Sequence, residues 1–185
     1  MVNNPDISDI HNVSGCTDEF SYSDFPSLIK FLGDADGFIR MHARKALICI
    51  GKPAVPDLIK TLSNDDSQIR WQVIKVLEGI GDPDAASALV QCLQDENSGV
   101  RWAASEAMIV FEKAALPPLL EALLHDYDSI WLRQGAHHIL HVLKDSGKLN
   151  EVEGAVFEAL EDVEPTAAVP WAAERALEAL RHNKK

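Results

Sequence analysis

The feature that most constrains the fold of this chain is an internal repeat. Five segments carry apolar residues at helical spacing, and their starting positions differ by 30, 31, 30 and 37 residues. A repeat of this length holds one helical hairpin, which must stack on its neighbours to bury its apolar face. The apolar positions of the five first helices are Leu28, Ile29, Leu32; Leu58, Ile59, Leu62; Leu89, Val90, Leu93; Leu119, Leu120, Leu123; and Val156, Phe157, Leu160.

The second half of each repeat opens on an apolar residue that is usually followed by arginine. Counted from the arginine position, offsets +3, +6, +7 and +10 are apolar, which is typical of one buried helical stripe. Small residues at +3 and +6 let helices approach closely, and larger ones fill the space between them. The predicted stripe comprises Ala43, Ala46, Leu47, Ile50; Val73, Val76, Leu77, Ile80; Ala104, Ala107, Met108, Phe111; Ala136, Ile139, Leu140, Leu143; and Ala173, Ala176, Leu177, Leu180.

Helix stop and start signals separate these segments. Glycine followed two residues later by proline ends the second helix of the first two repeats, at Gly51 and Gly81. The Pro117-Pro118 pair lies at the start of the fourth repeat. The predicted helix N-caps are Ser67, Ser98, Ser129 and Thr166.

The pattern predicts an all-α fold, a right-handed α-α superhelix (α-solenoid) of about five two-helix repeats. The chain has 185 residues, of which 46% are hydrophobic, enough for one folded unit without disulfides or metals. We expect a repeat domain over residues 25–182, preceded by a flexible polar extension over residues 1–24. The approximate repeat boundaries are 25–51, 52–81, 82–113, 114–147 and 148–182.

Composition narrows the compartment and the class of partner. There is no long uncharged apolar run, and the polar, acidic N-terminus is unlike a signal peptide, so a soluble cytoplasmic protein is expected. Cys16, Cys49 and Cys92 are odd in number and far apart, which predicts neither a disulfide framework nor a CxxC metal site and fits a reducing cytosol. The formal net charge of −12 argues against nucleic acid as the partner.

The second repeat carries the most recognisable pattern. Asp65-Asp66 precede Ile69-Arg70, the helix ends at Ile80-Gly81-Asp82-Pro83, and the next helix begins near Ala88-Leu89. This pattern resembles short HEAT-like repeats, and most of all the variety named after phycobilisome lyases. The tryptophan-glycine-tyrosine and Thr-Pro-Leu-His signatures of tetratricopeptide and ankyrin repeats are absent.

The resemblance covers roughly Phe25 to Leu180, and it is weakest in the fifth repeat, where Pro170 replaces the arginine. In that family an arginine ladder bridges to acidic residues in the turns, which implies a structural role for the arginines here. The ladder would be Arg40, Arg70, Arg101 and Arg133, paired with acids such as Asp34, Asp65, Asp95 and Asp126.

Offsets +1, +5 and +8 share another face of each second helix, and the resemblance implies that this face lines the concave side. Three of the four tryptophans lie at offset +1. Tryptophan is enriched at binding hot spots, although each indole could instead pack on a neighbouring side chain. The predicted partner-binding residues are Met41, Lys45, Trp71, Lys75, Glu78, Trp102, Glu106, His138, His141, Trp171 and Arg175.

The histidines of the fourth repeat include pairs at metal-ligand spacing. His137 and His141 are four residues apart, and His138 and His141 are three apart, so two rings could share one metal ion. Because the sequence specifies no third ligand, we predict no metal site. No cofactor is predicted either.

The predicted function is a non-enzymatic scaffold or adaptor that binds a segment of another protein in the concave groove. The alternative is a subunit of a bilin-lyase-like complex, in which a tetrapyrrole would stack on the tryptophans; it is supported by fold analogy alone. A HEAT-like DNA glycosylase would need a basic channel, and a deoxyhypusine hydroxylase would need His-Glu motifs that are absent here. No phosphate loop or nucleophile elbow occurs, so no catalytic residue is predicted.

Overall fold

A computed structural model describes residues 25–182, which form ten α-helices and no strand. The predicted N-terminal extension, residues 1–24, lies outside the described residues. The predicted fold class, an all-α solenoid of two-helix repeats, is confirmed. By its internal packing the chain divides into two compact units, Met1–Asp82 and Pro83–Lys185.

The described part of the first unit contains two helical hairpins. In it α1 packs on α2, α2 packs on α4, and α3 packs on α4. A short 3₁₀ turn, Lys52–Ala54, leads into α3. The helices are α1 (Phe25–Phe31), α2 (Gly37–Ile50), α3 (Val55–Thr61) and α4 (Ser67–Ile80).

The second unit contains three helical hairpins, with 3₁₀ turns at Pro83–Ala85 and Glu112–Ala115. In the first two hairpins α5 packs on α7 and α6 packs on α8. The first helices therefore form one layer and the second helices another. The helices are α5 (Ala86–Cys92), α6 (Ser98–Val110), α7 (Leu116–His125), α8 (Ile130–Asp145), α9 (Glu151–Leu160) and α10 (Pro165–His182).

The predicted buried stripe is confirmed at offsets +3, +6 and +7. Every residue at these offsets is fully buried except Leu177, which is 5% exposed. At offset +10 the prediction holds only for Phe111 and Leu143. Ile50, Ile80 and Leu180 are half-buried.

The last hairpin departs from the repeat. Helix α10 packs on α7 and α9, and α9 packs on α8. The first helix of this hairpin therefore extends the layer of second helices, and its second helix lies beside the first helices. Phe157 of α9 lies against α8, with its ring centroid 5.0 Å from that of His137 and 5.7 Å from that of His141. The alignment of the repeats predicts that α10 packs on α8, and this prediction was wrong.

One of the four predicted helix caps is confirmed, and two of the others are displaced by one residue. Ser129 caps α8 as predicted, through a hydrogen bond from Leu132 N. The predicted caps Ser67 and Ser98 are instead the first helical residues of α4 and α6, and Thr166 is the second residue of α10. The side chains that cap α2, α4 and α6 belong to Asp36, Asp66 and Asn97.

The cap before each of these three helices is itself held by a second Asx residue. The backbone N–H of Asp36, Asp66 or Asn97 donates to a side-chain oxygen two residues upstream, at 2.8–2.9 Å. Consecutive Asx turns satisfy the backbone donors that a helix start leaves unpaired. The upstream residues are Asp34, Asn64 and Asp95.

The ladder arginines hold the turns by a different contact from the one predicted. Within residues 25–182, the hydrogen bonds of Arg40, Arg101 and Arg133 go to main-chain carbonyl oxygens and not to carboxylates. Arg40 Nη1 donates to Asp34 O at 2.6 Å, and Arg101 Nη1 donates to Asp95 O at 2.7 Å. Each guanidinium reaches back over the preceding turn, where carbonyl groups lack helical partners.

The second ladder arginine makes the same main-chain contacts. Arg70 is buried, and its Nη1 donates to the carbonyl oxygens of Asn64 and Asp65 at 2.8 and 3.0 Å. The structural role of the four arginines is thus supported. Arg40, Arg101 and Arg133 form no carboxylate bridge within the part of the chain that the structure describes.

The cysteine prediction was wrong in one respect. Cys49 of α2 is disulfide-bonded, and Cys92 of α5 is a buried thiol. Because disulfides persist mainly in oxidising compartments, cysteine usage no longer supports a reducing cytosol. Among the residues that the structure describes, no helix is both long and apolar enough to cross a membrane.

The Asx caps can be tested with a pair of adjacent substitutions. Asn97→Ala should lower the free energy of unfolding by about 1 kcal/mol, because the amide side chain accepts from Gly99 N and Val100 N. Ser98→Ala should change it by less than about 0.5 kcal/mol, as is usual for an exposed site. Urea denaturation measures both, and an equal loss for the two variants would contradict the assignment.

The arginine contact can be tested at Arg40 and Asp34. Arg40→Met should cost roughly 1.5–3 kcal/mol of stability, because it removes a charged donor from two carbonyl oxygens. Asp34→Asn keeps both the main-chain carbonyl and a side-chain acceptor for Asp36 N, and should cost less than about 0.5 kcal/mol. A large loss for Asp34→Asn would show that its carboxylate charge matters after all.

Candidate interaction surface

One side of α8 presents polar and aromatic side chains at helical spacing. Trp131, Gln134, His138 and His141 lie three or four residues apart and share one side of the helix. All four are half-buried or exposed, whereas the predicted stripe on the other side of α8 is buried. The predicted positions +1, +5 and +8 of this repeat therefore point away from the core.

The neighbouring helix α6 presents a matching pair. Trp102 and Glu106 are one helical turn apart, and Trp102 is 58% exposed. Because α6 packs directly on α8, their outer sides form one surface. We call the surface made by Trp102, Glu106, Trp131, Gln134 and His138 the α6–α8 face.

His138 joins the two helices at the centre of this face. Its ring stacks on the Trp102 indole, with centroids 4.7 Å apart and an interplanar angle of 30°. Its Nε2 atom lies 2.8 Å from Glu106 Oε1, within hydrogen-bonding distance. One imidazole of α8 thus fixes an aromatic ring and a carboxylate of α6, and one side of the indole stays open to solvent.

At the start of α8, a residue of α6 covers an aromatic ring of α8. The guanidinium carbon of Arg101 is 4.5 Å from the centroid of the Trp131 ring, a cation–π distance. Trp131 is 41% exposed, and the preceding residue Ile130 is 59% exposed. The apolar character of the α6–α8 face therefore extends to the first turn of α8.

Trp131 was missed in the sequence because it lies outside the three offsets considered. It occupies offset −2 from Arg133, and it precedes His138 by seven residues, which is two turns of an α-helix. Extending the row of Gln134, His138 and His141 back by one turn would have identified it.

The histidines of the fourth repeat are distributed over separate contacts. His141 Nδ1 lies 3.3 Å from Asp145 Oδ2, and His137 Nε2 lies 3.4 Å from Glu161 Oε1. Residues 25–182 contain no group of three His, Cys, Asp or Glu side chains arranged to hold a metal ion. His141 belongs to the exposed side of α8 but lies toward Phe157 of α9.

The first unit carries its own set of predicted binding residues. Trp71 is half-buried, and the guanidinium carbon of Arg44 lies 6.0 Å from its ring centroid. Lys75 and Glu78 form an ion pair one turn further along α4. On α2, Met41 is half-buried and Lys45 is exposed.

The last two predicted residues lie elsewhere. Trp171 and Arg175 are on α10, which packs on α7 and not on α8. Trp171 is 72% exposed, but it lies in the layer of first helices, so its assignment to the row of Trp102 is wrong. The spacing along the sequence predicted that Trp171 lies in the same row as Trp102. In the structure the two helices of the last hairpin have exchanged layers, so Trp171 and Trp102 lie apart.

One family of known proteins matches part of the repeat region. Residues 55–139 match the family described as HEAT repeats. No curated protein matches the chain. Three crystal structures of engineered proteins from the Northeast Structural Genomics Consortium align with it at 21%, 19% and 22% identity and TM-scores of 0.38, 0.37 and 0.35. They cover 85%, 86% and 83% of this chain, which itself spans 47%, 80% and 79% of theirs.

The positions of the four indoles can be tested by fluorescence quenching. Four variants, each keeping one tryptophan with the other three changed to Phe, should differ in their acrylamide quenching constants because the indoles differ in solvent exposure. The expected order is Trp171, Trp102, Trp131 and then half-buried Trp71. Equal quenching of Trp71 and Trp171 would contradict the structure.

Proposed function

We propose that this protein is a non-enzymatic interaction module that binds a segment of another protein on the α6–α8 face. HEAT repeats are generally protein-interaction scaffolds. The observation that carries the proposal is the pair of exposed indoles, Trp102 and Trp131, each covered on one side by a residue of the adjacent helix.

The two indoles are suited to binding because they are exposed and also held in place. Trp102 is stacked on His138, and Trp131 lies under Arg101, whose guanidinium is fixed by two carbonyl oxygens. A side chain that is already ordered loses little conformational entropy when a partner covers it. Tryptophan side chains with these properties are enriched at binding hot spots.

The surroundings of the indoles suit a peptide segment. Trp102, Trp131 and exposed Ile130 supply apolar area, while Gln134 and Glu106 supply polar groups beside it. An apolar centre with polar neighbours is the usual composition of a protein interface. On the first unit, we propose Trp71, Lys75, Glu78, Met41 and Lys45 as a separate set of candidate contacts.

The finer assignment to the phycobilisome-lyase variety of repeat is also a proposal, supported by the Asp65–Arg70 and Ile80–Pro83 patterns.

A bilin-binding role would require the exposed indoles to take up a tetrapyrrole. When an open-chain tetrapyrrole is mixed with the protein, we expect the visible absorption spectrum of the tetrapyrrole to stay unchanged. A spectral shift that disappears in Trp102→Ala would support the bilin-binding alternative instead.

Affinity capture from native lysate, with quantitative mass spectrometry, tests the interaction role. Wild-type protein should retain a partner that Trp102→Ala loses, because truncation removes the indole with the largest exposed area on this face. Trp171→Ala is the matched control, since it removes an even more exposed indole from a different layer.

The control variant should capture the same partner as wild-type protein. All variants must keep the helical circular dichroism signal, which is expected because both side chains are exposed. If Trp102→Ala captures every partner that the wild type captures, the α6–α8 face is not the binding site. If only Trp171→Ala loses a partner, the function lies on α10.

A further inference from the structure

We infer that the segment bound by the α6–α8 face is basic, with an arginine or lysine side chain lying on the open side of Trp102 and its charge beside Glu106. This inference rests on the proposed function and names the chemical class of the partner. It depends on three observations: the shape of the Trp102 site, the cation–π contacts within the chain, and the charge of the second unit.

The Trp102 site has the two groups that recognise an organic cation. One side of the indole is covered by His138, and the exposed fraction of 58% leaves the other side accessible. Glu106 uses Oε1 for the contact with His138, and the structure shows no partner for its Oε2 among residues 25–182. An aromatic ring beside a carboxylate binds ammonium and guanidinium groups by combining cation–π and ion-pair attraction.

Among residues 25–182, cations lie on aromatic rings at three positions. Arg101 lies 4.5 Å from the Trp131 centroid, and Lys144 Nζ lies 4.4 Å from the Phe157 centroid. Arg44 lies at 6.0 Å from the centroid of Trp71. At Trp102 the His138 ring covers one side of the indole, and the other side is accessible to a cation from a partner.

The second unit is strongly acidic. Its described residues, 83–182, hold 17 Asp and Glu against 7 Lys and Arg, a formal net charge of −10 with histidine neutral. A field of this sign attracts a basic segment and repels an acidic one or a nucleic acid.

The seven Lys and Arg among residues 83–182 are engaged by other groups or lie on α10. Arg101 and Arg133 are bound to main-chain carbonyl oxygens. Three lysines are ion-paired, Lys113 with Glu153, Lys144 with Glu158 and Lys148 with Glu112. The remaining two, Arg175 and Arg181, lie on α10. Among the described residues of the face, Arg101 keeps its positive charge but is held by two carbonyl oxygens and the Trp131 ring. The Oε2 atom of Glu106 is therefore the charged group that is open to a partner beside Trp102.

A display library of random 12-residue peptides provides a probe that assumes no partner. The library is panned against the full chain and, in parallel, against the folded Trp102→Ala and Trp171→Ala variants. We expect peptides rich in Arg and Lys, with one or two apolar residues, to be enriched on the wild type and on Trp171→Ala. They should not be enriched on Trp102→Ala.

The other outcomes separate this inference from the proposed function. Apolar or acidic peptides that require Trp102 would overturn the basic class while leaving the α6–α8 face as a binding site. Basic peptides that bind Trp102→Ala equally well would show unspecific attraction and would also overturn the inference. If nothing is enriched on the wild type over Trp102→Ala, the proposed function fails at this face as well.

Isothermal titration calorimetry with a synthetic copy of the most enriched peptide then measures how much each substitution weakens binding. Trp102→Ala should weaken its binding by roughly 30-fold, as for a hot-spot residue. Glu106→Gln, which keeps the shape of the side chain and removes its charge, should weaken it by about fivefold. Replacing the arginine of the peptide by citrulline, a neutral group of the same shape, should cause a similar loss. Trp171→Ala should leave the affinity unchanged, and unaltered binding to Glu106→Gln would contradict the role of its carboxylate.

Discussion

The structure depends on the close approach of helices along the stripe of small and large apolar residues. Offsets +3 and +6 hold Ala, Val or Ile, all completely buried, and Leu or Met at +7 fills the space beside them. A single hairpin could not exclude water from such a stripe, so each hairpin requires a neighbour. Because the stripe sets the rotation of every second helix, it also decides which side of α6 and α8 faces outward, and Trp102 and His138 lie there.

The regular part of the fold could be predicted because it follows from local periodicity. The same holds for the outward position of Trp102, Glu106 and His138, which are offsets from one buried stripe. The caps of α4 and α6 were placed one residue too late because serine and Asx residues are adjacent in these turns, and hydrogen bonding alone distinguishes Asn97 from Ser98. Trp131 was missed because the row on α8 starts one turn earlier than the arginine offsets suggested.

The packing of the last hairpin could not be predicted from the same periodicity. Helices α8 and α10 carry equivalent apolar stripes, and a stripe does not specify which neighbour will cover it. The longer spacing before the fifth repeat and the contacts of Phe157 with α8 accompany this arrangement. As a result, Trp102 and Trp171, two exposed tryptophans that look equivalent in sequence, lie in different layers.

We propose that binding uses Trp102 and Trp131 and not Trp171. The indole N–H signals in a ¹⁵N-correlated NMR spectrum of this 20.3-kDa chain, which has four tryptophans, report on it directly. During titration with a bound partner segment or peptide, the signals of Trp102 and Trp131 should shift together, while that of Trp171 stays in place. A shift of the Trp171 signal with those of Trp102 and Trp131 unchanged would contradict the account.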